Sequence, residues 1–224
     1  MNHPSLALLV LFGSQLAWGW SPTFHEVQSK LAARMVPRPM AELLQGQRQV
    51  FLEAARGISN DEPPTVEQVE EQFDRIVRMS EAGIRPRQLA KELGVLAHLV
   101  QVLADPGATH GVTALREQFS AYGDANLGRM VLTREPVWAL ESDGDPRPRL
   151  LAIVREKFDR HRTLLDHFDQ ERSKRIGEWD ELSIPFAQLQ LAFSGGIHAT
   201  ANLWILLWRI VGDRWPQASA KTLY

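Results

Sequence analysis

The segment from Trp20 to His25 can bind a metal ion if the chain is cleaved just before it. Residues 6–13 form an apolar run typical of the core of a signal peptide, and the small residues Ala17 and Gly19 suit positions −3 and −1 of a cleavage site. Cleavage after Gly19 gives Trp20 a free α-amine, which titrates near pH ~8. This amine, the Trp20 carbonyl and the His25 imidazole are ligands that zinc accepts near neutral pH. In a second interpretation, Trp20 only staples the start of a helix and His25 lies on the surface.

The composition of the 224-residue chain limits its class. It has no cysteine, which excludes a disulfide framework and a thiolate metal site, so any metal site would use nitrogen and oxygen ligands. The formal net charge of −2 gives no basic surface for duplex nucleic acid. Residues 1–19 are predicted to be a signal peptide, although they contain no Lys or Arg. Residues 20–224 are predicted to form one secreted or periplasmic domain without a transmembrane anchor.

Helical periodicity dominates after His25, and no run of alternating β-branched residues predicts a sheet. The expected fold class is all-α, a multi-helix bundle. The pattern predicts the following elements in chain order: helices over residues 27–35, 40–54, 66–79 with Thr65 as N-cap, 89–103 and about 115–122, a loop over 133–148, and helices over 150–172 and 184–211.

The last predicted helix, over 184–211, is apolar on most faces. Asn202 and Arg209 interrupt it, and its continuous apolar run is shorter than a membrane span requires. We therefore expect a core helix through the middle of the bundle, with His198 on it as a satisfied buried imidazole.

A second group of potential ligands lies in the segment Gly94-Val-Leu-Ala-His98-Leu-Val-Gln-Val-Leu-Ala-Asp105-Pro106-Gly-Ala-Thr-His110. Together with the leader and the Trp20–His25 spacing, it resembles zinc-dependent phospholipase C and the single-strand nucleases that share its all-helical fold. Mature chains of that family begin with tryptophan, whose amino group helps to bind three zinc ions. Their central helix carries a histidine, an aspartate four residues later, a proline and a second histidine. The resemblance implies a phospholipase C-like helical fold, zinc as cofactor and hydrolysis of a phosphodiester.

The resemblance also implies a role for individual residues. The implied metal ligands are Trp20, His25, Asp61, His98 and His110, with Asp105 as a substitute ligand. Asp61, in Ile58-Ser-Asn-Asp-Glu62, would also act as the catalytic base. For three of these residues a structural role competes: an N-cap for Asp61, a core histidine bonded to a backbone carbonyl for His98, and a helix-stop residue for Asp105.

Several expected ligands are missing. Val102 stands where the family has an aspartate that bridges two metals, and its methyl groups cannot bind a cation. Arg116 and Ser120 stand where the family has histidine and glutamate, and a guanidinium cannot ligate zinc, although it can bind a phosphate. The segment from Thr65 to Glu81 has no histidine, and the glutamates there are more typical of a solvated face.

The sequence therefore predicts a zinc-dependent phosphodiester hydrolase with an incomplete site, holding fewer than three zinc ions or none. Its partner would be a phosphodiester substrate, with phospholipid among the candidates, and not duplex nucleic acid. The alternative is a non-catalytic relative of the family that binds a lipid, a phosphate or another protein in the cell envelope.

We expect the mature chain to begin at Trp20, because Ala17 and Gly19 form the cleavage signature. Intact-mass analysis of the exported protein measures this directly. A start at Trp18 would still fit a cleaved leader, whereas retention of Met1 would contradict both export and the α-amine ligand.

Overall fold

The computed structural model describes residues 20–57, 63–108, 113–133, 147–162 and 182–215. The predicted signal peptide, Asp61 and His110 lie outside these ranges. Within them the chain forms eight α-helices and no strand, which confirms the all-α prediction. The helices are α1 (Pro22–Ala32), α2 (Arg38–Gly46), α3 (Arg48–Arg56), α4 (Val66–Glu81), α5 (Pro86–Leu103), α6 (Thr113–Asn126), α7 (Arg147–Arg162) and α8 (Ile184–Val211).

Capping side chains fix where several helices begin. The Ser21 hydroxyl accepts a hydrogen bond from the backbone N–H of Phe24 at 3.1 Å and starts α1. At α4, Thr65 Oγ1 accepts from the Gln68 N–H at 3.3 Å, and Gln68 Oε1 accepts from the Thr65 N–H at 2.8 Å. This reciprocal capping box confirms the prediction that Thr65 is the N-cap. Ser183 caps α8 in the same way as Ser21 caps α1.

The prediction of one helix over residues 40–54 was wrong, because the structure has two. Gln47, with φ −114° and ψ 28°, leaves the helical region between α2 and α3. Apolar residues are buried on both sides of this break, including Leu43 and Phe51. Because their spacing stays helical across Gln47, the hydrophobic pattern does not reveal the break.

Two other boundaries also differ from the predictions. α7 begins at Arg147, so the predicted loop over 133–148 ends earlier than expected. Residues 134–146 and 163–181 lie outside the described ranges, so most of that loop and the second half of the predicted 150–172 helix remain predictions.

The helix α8 runs through the protein, with α1, α4, α5 and α7 packed against it. The helix α8 is long enough and apolar enough to cross a membrane, with 28 residues and a mean hydropathy of 1.2 over an 18-residue window. However, 89% of its 18-residue apolar window is buried inside the protein. Its neighbours cover it along most of its length, as predicted for a core helix.

The helices α3 and α5 cross closely at Gly94. A Cβ atom at this position would lie 2.5 Å from the carbonyl oxygen of Phe51 and 2.8 Å from Cβ of Ala54. Gly94 therefore allows the C-terminal end of α3 to rest on α5, one turn before His98.

We expect Gly94→Ala to lower the free energy of unfolding by about 1–3 kcal/mol, because the new methyl group overlaps a backbone carbonyl that cannot rotate away. Gly46→Ala is the matched control, since a Cβ there meets nothing within 4 Å. This control should be neutral or stabilising by up to about 1 kcal/mol. Urea unfolding of both variants, followed by circular dichroism, tests the difference. Equal stabilities would contradict the close crossing.

Candidate functional site

The structure brings together two of the predicted ligands, His25 of α1 and His98 of α5. Their ring centroids are 4.7 Å apart, and the ring planes are inclined at 59°. His25 is 1% exposed and His98 is partly buried. The two imidazoles are in contact, and we call His25 and His98 the histidine pair.

A hydrogen-bond chain fixes the proton position on His25. Nε2 of Gln101 donates to the Ser29 hydroxyl at 2.9 Å, which leaves Oε1 of Gln101 facing Nδ1 of His25 at 2.9 Å. An amide oxygen only accepts, so Nδ1 of His25 must carry the proton and Nε2 must carry a lone pair. That Nε2 atom is buried and has no hydrogen-bond partner. A metal-binding imidazole has the same arrangement, with its second nitrogen donating to an oxygen acceptor.

His98 lies against the C-terminal end of α3. Its ring forms a hydrogen bond with the backbone of Ala55, and its buried Nδ1 has no partner. Gly57 lies against the His98 ring, and its φ of 78° is in the left-handed region. A Cβ at this position would overlap atoms of the imidazole. Position 57 thus requires glycine both for its dihedral angle and for the space.

Burial lowers the pKa of both histidines. Desolvation, and then the charge of His98, bring the pKa of His25 to about 3, while the hydrogen bond with Gln101 opposes this shift. Desolvation brings the pKa of His98 to about 4, opposed by the bond with Ala55. Both rings are therefore neutral at pH 7, and neither has to lose a proton before it binds a cation.

The Trp20 side chain lies in the hydrophobic core. Its ring stacks on Phe24, with centroids 4.1 Å apart, and also contacts Phe119. This stack agrees with the interpretation that Trp20 staples the start of α1. The surface position for His25 that accompanied this interpretation is wrong, because His25 is buried.

Asp105 is buried two turns after His98, and its Oδ1 accepts a hydrogen bond from the Gly107 N–H at 2.7 Å. This bond agrees with its interpretation as a helix-stop residue. Within the described ranges, no group of three or more His, Cys, Asp or Glu side chains could hold a metal ion. Asp61 and His110 lie outside those ranges, so their part in the site stays a prediction.

At the remaining positions where the resembled family has metal ligands, this chain has residues that cannot bind a metal or lie on an exposed face. Val102 is buried on α5, one turn after His98. Ser120 is half-buried on α6, and the side chain of Arg116 lies outside the described part of the chain. Glu67 and Glu71 are exposed on α4, as expected for a solvated face.

Gln101, Ser29 and Gly57 belong to the site but were not among the residues predicted from the sequence. A pattern did exist for the first two. Gln101 is the one amide in the apolar run from Leu99 to Leu103, and Ser29 lies one helical turn after His25. The contact between Gly57 and His98 depends on how α3 crosses α5, which no local pattern gives.

An ion cluster lies at the surface next to the histidine pair. Glu26, which follows His25, accepts hydrogen bonds from Lys30 and from Arg56, whose Nε lies 2.9 Å from Oε2 of Glu26. The bonds from Lys30 and then Arg56 hold the pKa of Glu26 below its usual value. Because Arg56 lies between Ala55 and Gly57, this cluster ties α1 to α3 beside the two rings.

No family model, curated protein or solved structure matches the chain. The histidine pair supplies two neutral nitrogen donors, while zinc in proteins takes four ligands, with water as one of them in catalytic sites. The pair thus fits part of a zinc site and requires at least one further protein ligand.

We expect the metal-free protein to lose stability as the pH falls from about 6.5 to about 4. In this window the unfolded chain binds protons at His25 and His98 that the folded chain excludes, since burial depresses both folded pKa values. Each histidine should contribute about 1 kcal/mol per pH unit below pH 6. Urea unfolding in EDTA at several pH values measures the slope. A double variant, His25→Gln with His98→Gln, should flatten it, and an unchanged slope would contradict the burial of the pair.

Proposed function

We propose that this chain is an exported phospholipase C-like protein that holds one zinc ion at His25 and His98 and hydrolyses phosphodiesters, with phospholipids among its substrates. The observation that carries the proposal is the histidine pair, in which Nε2 of His25 and Nδ1 of His98 are both buried and both lack a hydrogen-bond partner. Leaving two such nitrogens unsatisfied is costly in a folded protein unless a ligand uses them.

The residues around the histidine pair favour the binding of a metal ion over the binding of a proton by these two rings. Gln101 holds His25 in the tautomer that a metal requires, and Ser29 holds Gln101. The depressed pKa values of His25 and His98 keep both rings neutral at pH 7, so each ring has one nitrogen with a free lone pair. A bound zinc ion would supply an activated water and neutralise charge on the phosphoryl oxygens.

The proposal assigns the remaining ligands to residues on neighbouring segments. In the sequence, Asp61 follows α3, whose C-terminal end contacts His98, and His110 follows α5, which carries His98. The α-amine of Trp20 is a further candidate if the leader is removed, and Asp105 is a weaker one because its carboxylate already bonds Gly107. Asp61 is also proposed as the base that takes a proton from the attacking water.

A second candidate function is that of a non-catalytic relative that binds a lipid, a phosphate or another protein. Two observations favour it. Val102 is buried where the proposed family has its bridging carboxylate, and His25 is only 1% exposed, which leaves little room for a substrate phosphate beside it. Under this alternative, the histidine pair would be a structural remnant.

Zinc analysis of the purified mature protein separates these functions. We expect about one zinc ion per chain at most, because Val102, Arg116 and Ser120 supply no ligand. His98→Gln should remove the ion, and Gln101→Leu should weaken its binding by about 10- to 100-fold by freeing the His25 ring. His198→Gln is the matched control, since His198 bonds the Thr133 carbonyl and should leave the zinc content unchanged.

Assays on a choline phospholipid and on single-stranded DNA accompany the metal analysis. Zinc that is lost in His98→Gln together with turnover would support the enzyme. If the wild-type protein binds no zinc and both assays are silent, the triple change Val102→Asp, Arg116→His and Ser120→Glu should create zinc binding. Failure of this variant, with its fold retained, would overturn the correspondence with the phospholipase C family.

A further inference from the structure

The exposed large apolar side chains of the described residues are concentrated at one end of α8. They are Val131, Leu182, Ile184 and Leu191, exposed by 68%, 94%, 48% and 44%. We call these four residues the apolar rim. Ile184 and Leu191 lie seven residues apart on the same face of α8, with the exposed Ala187 between them. Between Ile184 and Trp208 the chain has no Asp, Glu, Lys or Arg.

Val131 belongs to the rim because the segment of residues 130–133 runs along α8, beside the face that carries Ile184 and Leu191. The Arg129 guanidinium lies 5.6 Å from the Phe186 ring, and Val131 bonds Gln190 two residues later. Two residues of extended chain advance about 6.6 Å, and four residues of helix advance about 6 Å. This match lets every second residue of the segment meet every fourth residue of α8.

The side chains of α8 satisfy the backbone of this segment. Gln190 accepts from the Val131 N–H at 3.0 Å and donates to the Val131 carbonyl. Ser194 accepts from the Thr133 N–H at 3.1 Å, and Nε2 of His198 donates to the Thr133 carbonyl, 2.7 Å away. Val131 therefore presents an exposed aliphatic side chain while both of its backbone polar groups are already bonded.

We propose that the apolar rim is a docking surface for a phospholipid membrane, into whose interface Val131, Leu182, Ile184 and Leu191 insert. Contact with hydrocarbon requires that backbone polar groups be satisfied within the protein. Leu191 lies within α8, where helical bonds satisfy the backbone; Ser183 accepts from the Phe186 and Ala187 N–H groups at the start of the helix, and Gln190 bonds both backbone groups of Val131.

The size of the rim favours a lipid surface over a protein partner. Four partly exposed aliphatic side chains offer a few hundred Å² at most, whereas a stable protein interface covers roughly 800 Å² on each partner. Aliphatic side chains on a helical face suit shallow, reversible insertion at a bilayer interface, which needs no matching pocket. The inference does not depend on zinc, so the test uses protein in EDTA.

Co-sedimentation of the purified chain with phosphatidylcholine vesicles tests the inference. The double variant Leu182→Ser with Leu191→Ser should weaken vesicle binding by at least about tenfold, because each removes an aliphatic group from the interface. The volume-conserving double variant Leu182→Ile with Leu191→Ile should bind as the wild type does. Both positions are exposed, and circular dichroism checks that the fold is kept. Equal binding by the serine variant and the wild type would overturn the inference.

A second measurement locates the contact. Because the chain has no cysteine, a single nitroxide label can be placed at Ala187→Cys in the rim or at Gln45→Cys, an exposed position on α2. Vesicles should shield the label at 187 from a water-soluble relaxation agent and leave the label at 45 accessible. Equal accessibility at both sites would contradict the inference. A wild-type dimer in solution that the serine variant abolishes would also overturn it, since the rim would then bind a second copy.

Discussion

The burial of a polar face of α1 is the constraint on which this arrangement depends. His25, Gln28 and Ser29 are all buried where α1 packs on α3, α5 and α8. Each polar atom on such a face requires a partner, since an unpaired one costs about 1–3 kcal/mol. Gln101 bonds both His25 and Ser29, and Nε2 of Gln28 donates to the Phe193 carbonyl of α8 at 3.1 Å. The same packing leaves Nε2 of His25, Oε1 of Gln28 and Nδ1 of His98 buried without a partner.

Glycines allow these contacts, because they have no side chain at the points where the helices approach most closely. A Cβ at Gly196 would lie 2.7 Å from Nε2 of Gln28, so this glycine lets the amide reach the backbone of α8. Gly94 likewise makes room for α3 where this helix crosses α5, and Gly57 makes room for the His98 ring just after α3 ends. The polar contacts of α1 and α5 are thus set by how closely the helices approach, and at each of these three contacts the approach is set by glycine.

The sequence was sufficient to predict the features that depend on local chemistry. Thr65 as a cap and the apolar helix over 184–211 both follow from residue type and spacing. The break at Gln47 was not predictable, because the apolar period continues across it and only tertiary packing decides where the helix ends. The pairing of His25 with His98 was an expectation drawn from resemblance. The amide of Gln101 stands out in its apolar run, but its bond to His25 depends on the rotation of α5 relative to α1. That rotation has no signature in a single sequence.

The depth of His25 has a consequence for kinetics. Since its Nε2 is buried, anything that binds there must enter and leave through a local opening of the protein. The exchange rate would then be limited by how often the protein opens locally rather than by how fast the ligand diffuses. A site of this kind would bind its ligand most readily while the chain is folding. Once folded, the protein would exchange that ligand slowly, so the occupancy of the site would depend on the ligand concentration during folding.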